Sequence, residues 1–330
     1  MTAAKQVITY LNVFLFVVLL NFWLPRLLPG GPVDFLTGGE DSAVFMSEAQ
    51  KQAMLAYYQL NQPVWEQFKQ YLLGLATFDL GLSFTYKAPV FEVIFARLPW
   101  TVLLVGIATV LSIVLGLAAG LLSSWRHPGT TDRLLLLCML ILSAIPEFLI
   151  GMLLLLGFAV GWEVLPLSGA RTPFFQPELW WERVWDLTKH ALLPVATLTA
   201  GGLAGMYLLM RNEAIRVKGE PFVEFASAKG ITGRAVLLRH VVRNAALPLV
   251  TMIVNRIGGL VAGAVLVETV FSYPGIGKLL QEAILARDYP LLHGLFLLIT
   301  IVVLSLNLLA DLLYPLLDPR IRPAKRGGQG

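Results

Sequence analysis

Residues 98–125 read LPWTVLLVGIATVLSIVLGLAAGLLSSW, without one Asp, Glu, Lys or Arg. An α-helix needs roughly 20 mostly apolar residues to cross a bilayer, where no water satisfies an open backbone group. The stretch therefore reads as a transmembrane helix. Five further segments pass the same test, at about 7–24, 134–162, 191–210, 245–267 and 291–310. The pattern predicts an all-α polytopic membrane protein of about six transmembrane helices, with residues 1–330 forming one domain.

Composition agrees. Hydrophobic residues make up 57% and charged residues 14% of the chain, against about 45–50% and about 25% in soluble domains. The first segment resembles a signal peptide in length, but Leu24-Pro25-Arg26-Leu27-Leu28 offers no small-x-small cleavage site, so it is read as a retained span. The single cysteine, Cys138, lies in an apolar run and supports neither a disulfide framework nor a Cys-ligated metal.

With both termini cytoplasmic, the inner segments 1–6, 126–133, 211–244 and 311–330 hold fourteen Lys and Arg, and the much longer outer loops hold ten. That density matches the positive-inside rule. Trp23, Trp100, Trp125 and Trp162 fall at span ends, where amphipathic rings favour the headgroup layer. The pairs Gly116/Gly120, Gly201/Gly205 and Gly259/Gly263 mark faces where helix backbones approach closely. In the outer loop 25–97, Ser47 and Gln50 resemble a capping box opening a helix to about Leu60, which Asn61-Gln62-Pro63 breaks. A second helical segment then places Trp65, Phe68, Tyr71, Leu72 and Leu75 on one face, for packing over the bundle or for docking an extracytoplasmic partner.

The inner loop 211–244 contains Gly219-Glu220-Pro221-Phe222-Val223-Glu224-Phe225-Ala226-Ser227-Ala228-Lys229-Gly230. Pro221 suits a first helical position and Gly230 the left-handed residue beyond the end. This predicts a helix of little more than two turns, marginal alone in water, whose Phe222, Phe225 and Ala226 need an apolar partner. A cytoplasmic groove would supply one.

Glu224 to Gly230, followed by Leu238-Arg239-His240 and Arg243-Asn244-Ala245-Ala246-Leu247-Pro248, resembles the cytoplasmic signature of the permease subunits of the peptide/nickel (dipeptide/oligopeptide) family of binding-protein-dependent ABC importers. Family-like segments recur in order along nearly the whole chain. They include Leu27 to Pro32, Leu60 to Pro63, Asp79 to Ser83, Arg97 to Pro99, Val267 to Gly277, Arg287 to Pro290, Asp311 to Tyr314 and Leu317 to Arg322. The resemblance implies the type I importer permease fold. It further implies that Pro221, Phe222, Glu224, Phe225, Ala226, Ala228, Lys229 and Gly230 form a coupling helix seated in a separate ATP-binding subunit. Two such subunits, a second homologous permease making a heterodimer, and an extracytoplasmic binding protein complete the implied machine, in a bacterial or archaeal inner membrane. Di- or oligopeptides are the expected cargo, with nickel or a metal chelate next and a sugar third. Phe225 stands where the general Glu-Ala-Ala pattern has Ala, and the interval from Gly230 to Pro248 exceeds the general spacing; both suit the peptide branch.

No Gly-x-x-x-x-Gly-Lys-Ser/Thr occurs, because Gly275-Ile276-Gly277-Lys278 continues with Leu279. ATP and Mg are thus expected on partner subunits, with no cofactor in this chain. His127, His190, His240 and His293 lack ligand spacing, so no in-chain metal site is expected. Nor is there a Gly-x-Ser-x-Gly elbow or a His-Glu-x-x-His motif, and no catalytic residue is assigned. Charges at membrane depth cost roughly 2.5–3.5 kcal/mol or more and usually face a cavity or a partner. Three qualify: Arg256, Glu147 and Glu268. They are candidates for the translocation path; an Arg256–Glu147 structural pair is the equal alternative. An ion-coupled secondary carrier using Glu147, Glu268 or Asp311 is the competing functional class.

Overall fold

The computed structural model describes residues 3–27, 61–242 and 264–317, with scattered positions between 49 and 56. In chain order, α1 (Ala3–Trp23) ends in a 3-10 turn (Leu24–Leu27), and α2 (Val64–Thr77) and the long α3 (Val90–Trp125) follow. Next come α4 (Thr130–Ala144), α5 (Glu147–Leu154, continued as a π-helix over Leu155–Gly161) and α6 (Trp180–Lys218). The short α7 (Pro221–Ala228) and α8 (Gly233–Val236, continued as a π-helix over Leu237–Val241) precede α9 (Ile276–Leu285) and α10 (Tyr289–Leu317). Residues 264–270 are helical as well.

Among the described residues, four helical stretches, at Ile8–Leu27, Val90–Trp125, Trp180–Lys218 and Tyr289–Leu309, are long and apolar enough to cross a membrane. The predicted third span departs from one continuous rod: α4 and α5 meet at a bend of 98°. Pro146 is the cause. It pushes the preceding residue out of helical space, and Ile145 is extended at φ −93°, ψ 125°. The predicted fourth span, 191–210, proves to be the middle of a 39-residue helix. Most of the predicted fifth span, including Arg256 and the Gly259/Gly263 pair, lies outside the described residues, as does most of the helix predicted from Ser47 to Leu60.

The chain divides into two compact units. Unit 1 falls within Met1–Trp100 and Pro274–Leu304. Its core joins Phe84, Val90 and Ile94 to Ile276, Leu279, Leu291, Leu292 and Leu295. Asp288, fully buried, ties the loop before α3 to the start of α10. Its carboxylate accepts hydrogen bonds from Ser83 Oγ (2.6 Å), the Thr85 amide (3.0 Å) and the Leu291 amide (3.2 Å). Two motifs singled out in the sequence, around Ser83 and around Asp288, are therefore one structural joint. The predicted amphipathic segment is α2, and it packs through Phe68 and Tyr71, whose rings lie 4.9 and 5.6 Å from Phe22 of α1. Trp65 and Leu72 stay exposed. Nearby, Tyr86 donates to Glu282 at 2.5 Å, and burial together with that carboxylate pushes its hydroxyl up to about 12.

Unit 2 falls within Thr101–Tyr273 and Ser305–Gly330. Here α3 lies against α6 at the spacing the glycines predicted. A Cβ on Gly116 would come within 2.6 Å of Met206 Cβ, and one on Gly120 within 2.8 Å of the Tyr207 carbonyl. Ser112 Oγ donates to the Thr199 carbonyl at 3.0 Å across the same seam. With no hydrophobic drive between helices in lipid, such close contact supplies the dispersion that holds them. The residues on the far side of α3, Leu103, Ile107, Val110 and Val114, are exposed, as a lipid-facing surface requires.

Candidate functional site

The site is built at the end of unit 2 that carries the basic segments 126–133 and 211–242. Helix α6 runs on past the apolar part of its sequence to Lys218, and Gly219-Glu220 turns the chain into α7. The turn is closed by the amides of Gly219 and Glu220 bonding back to Arg216 and Val217, and by the Val223 amide bonding to Glu220 (2.9 Å). Pro221 begins α7, and Gly230 follows it at φ +79°, the left-handed backbone the sequence predicted.

Packing divides the apolar residues of α7 between two faces. Val223 and Ala226 are buried, clustered with Met210, Ala214 and Val217 of α6 and with Val236 and Val241. Phe222 and Phe225 point outward, at 43% and 63% exposure. Glu224, Ala228 and Lys229 are exposed too. Ala226, which the sequence groups with Phe222 and Phe225 on the face that seeks a partner, is instead buried beside Val223 against the bundle. Neighbouring packing selects Val223. Lys229 sits over the Phe225 ring at 4.6 Å, so the outward surface at α7 carries two exposed aromatic rings, one of them with a cation on its face. Beneath the helix lies a cavity of about 400 Å³ lined by Trp125, Lys218, Val223, Glu224, Val236 and Leu237.

What holds this end of the bundle together escaped the sequence reading. Asp132, in the first turn of α4, is buried and accepts from Arg211 Nε at 2.6 Å and Nη2 at 2.8 Å. Ser123 Oγ donates to the same carboxylate at 2.5 Å, and His127 Nδ1 lies 2.7 Å from it. The Tyr207 hydroxyl lies 2.7 Å from Ser123 Oγ. Lys218 Nζ donates to the Ser124 carbonyl at 2.8 Å. The forked geometry of a guanidinium on a carboxylate fixes direction as well as distance. The end of α6, from which α7 hangs, is thus pinned at two points, to the end of α3 and to the first turn of α4. Asp132 and Arg211 stand 79 positions apart. The one hint in the sequence was an acid alone in a short basic inner turn.

The candidates for the translocation path fall in different places. Glu147 opens α5 just after the Pro146 bend, and its carboxyl lies where a Cβ on Gly201 of α6 would be, so that glycine is required for the approach. It is half-buried. Glu268 has no exposure, and Thr101 Oγ1 donates to it at 2.6 Å. Arg256 lies outside the described residues, so the Arg256–Glu147 pairing has no geometry here. Among the described residues, no three His, Cys, Asp or Glu converge as a metal site would require.

Comparison with known proteins gives this architecture its relatives. Over 94% of its length the chain is 32% identical to the dipeptide transport system permease protein DppB of Escherichia coli K12, covering 96% of that protein. It is 30% identical to the oligopeptide transport system permease protein AppB of Bacillus subtilis, covering 96% of this chain and 98% of that one. Identity to the glutathione transport system permease protein GsiC of Escherichia coli O6:H1 is 33%, covering 96% and 97%. Among solved structures, an inward-facing form of the MetNI methionine ABC transporter superposes on 69% of this chain and 97% of its own with a TM-score of 0.56 at 15% identity, a likeness of fold. The pattern of the binding-protein-dependent transport system inner membrane component matches residues 112–323, and the chain belongs to that family: it is a multi-pass membrane permease subunit of an ABC importer, with no catalysis of its own.

Proposed function

We propose that this chain forms half of a pathway for di- and oligopeptides delivered by an extracytoplasmic binding protein, and that α7 is its coupling helix. The observation that carries the coupling role is the split face of α7. Val223 and Ala226 fasten it to the bundle, while Phe222, Glu224, Phe225 and Lys229 are offered outward. A cleft on an ATP-binding subunit would cover those side chains and hold ATP and Mg away from this chain. Closure of the cleft would push a short rod whose root is fixed by Arg211–Asp132 and Lys218–Ser124, so the push reaches α6 and α3 as rigid-body motion. Gly219 and Gly230 serve as the corners. Pro221 and Ala228 bound the rod.

The complete machine in this reading has a second, homologous permease, two ATP-binding subunits and both termini of each permease in the cytoplasm. Residues 1–330 work in it as one permease domain. The naming of three relatives for dipeptide, oligopeptide and glutathione transport supports the peptide substrate. Arg256 and Glu147 are the charged groups assigned to the path, and Glu268 acts at its outer end through Thr101. In proteoliposomes containing the permeases, the ATPases and the binding protein, Glu224→Ala with Phe225→Ala should cut labelled dipeptide uptake at least tenfold while ATP hydrolysis persists. Uptake and hydrolysis at wild-type values in that variant would remove α7 from the coupling path.

A further inference from the structure

The break at Pro146 falls near the middle of the apolar run 134–162, where one unbroken rod was expected. The first half is too short to cross alone: α4, with 15 residues, rises about 22 Å at 1.5 Å per residue, against a hydrocarbon core of about 30 Å. At the junction the hydrogen-bond ladder is interrupted. Pro146 has no amide to donate, and the Ile145 amide reaches back to the Leu142 carbonyl at 3.4 Å. Interrupted backbone at membrane depth is tolerated where protein covers it or where it lines a water-filled cavity.

One side of the break is covered. Ile150 and Gly151 are buried, and a Cβ on Gly151 would come within 3.1 Å of Thr197 on α6 and 3.2 Å of the Phe271 ring. The other side is open, with Ser143, Ala144 and Pro146 exposed. Glu147 stands at the edge between them, half-buried, its carboxyl in the notch left by Gly201. An acid in a helix's first turn is favoured by the dipole alone, yet that role needs no gap in the facing helix. A charge at this depth is costly against lipid, so such groups face a cavity or a partner. A carboxylate accepts from several directions, so contacts within the bundle leave the half-exposed side of Glu147 able to receive a donor.

We propose that the open side of this break lines the water-filled path and that Glu147 there receives the α-ammonium of the passing peptide. Resting on the peptide cargo proposed above, this names the end of the cargo that the chain meets at the bend. Every unmodified peptide carries that ammonium whatever its side chains, so one fixed carboxylate serves a broad set of cargoes. Its three N–H groups all donate and the carboxylate only accepts, which makes the pair complementary in charge and in hydrogen bonding. The half-exposed position suits passage, because a contact that water can replace lets the cargo leave as well as enter. Gly201 sets where the carboxylate waits, since a side chain at that position would displace it.

The assembled complex in proteoliposomes tests this. Labelled dialanine is compared with lactoylalanine, in which a hydroxyl replaces the ammonium, each supplied on saturated binding protein so that the rate reports passage and not capture. Wild type should move dialanine at least tenfold faster than lactoylalanine. Glu147→Gln should bring the two rates together by slowing dialanine, while ATP hydrolysis persists. In a background without Cys138, Glu147→Cys should react with a water-soluble methanethiosulfonate. If the Gln variant does not assemble, the wild-type preference and the cysteine reaction still decide. Equal wild-type rates for the two cargoes, an undiminished preference in Glu147→Gln, equal loss of both cargoes in that variant, or reaction of the cysteine only with a lipid-soluble maleimide would each overturn the proposal. A wild type that moves no dialanine would overturn the peptide reading as well, whereas dialanine uptake without preference sinks this inference alone.

Discussion

Asp132 shows how much a single side chain can carry. Buried and bonded twice to Arg211, it cannot lose that partner without leaving a charge uncompensated away from water. Arg211→Met should therefore destabilise the protein in detergent by about 3–5 kcal/mol, measured as the shift in denaturant unfolding. Asp132→Asn combined with Arg211→Gln should cost less than the sum of the two single changes, because the pair acts as one unit. Neither residue was legible in advance. Sequence spacing reveals partners within a helix turn, whereas these two meet only because α4 folds back beside α6. Glycines were easier to read, since their consequence is local. Gly230 at φ +79° is the clearest case, and Gly230→Val should cost about 1–2 kcal/mol from left-handed strain alone.

Element boundaries were legible where local chemistry sets them. Pro221 and Gly230 bracket α7 as expected, and the Gly116/Gly120 spacing marked a packing face, which meets α6. Two features were not legible for the same reason: several local solutions existed, and tertiary contacts chose among them. Hydropathy runs unbroken across residues 134–162, so it could not show that the Pro146 kink bends the span by 98°. Likewise the apolar residues of α7 fit two stripes, and the cluster around Met210 and Val217 took the one with Val223. This makes a paired prediction. Val223→Asp buries a charge and should lose at least about 2 kcal/mol of stability. Phe225→Ala, on the exposed face, should stay within about 0.5 kcal/mol of wild type while transport falls. Thermal unfolding and uptake measured on the same preparations separate the two effects.

At the scale of the molecule, hydropathy and charge density were enough to read a polytopic helical membrane protein, and the relatives place it among importer permeases. The proposed topology, with both termini cytoplasmic, rests on the same charge count. A single cysteine introduced at Lys229, in a background without Cys138, should react with an impermeant maleimide only from the cytoplasmic side. One introduced at Thr172 should react only from outside. The substrate was not legible, because the apolar spans must first satisfy lipid and their sequence carries little else. In the proposed machine, recognition lies with the external binding protein.

In the proposed machine the outward stripe of α7, and not its buried stripe, meets the ATP-driven partner. Cysteine cross-linking in the assembled complex tests it most directly. With a short bifunctional reagent, Phe225→Cys should join to a cysteine placed in the ATPase cleft, and Val223→Cys should not. Cross-linking through Val223 alone, or labelling of Phe225→Cys from the outer face of the membrane, would contradict the account.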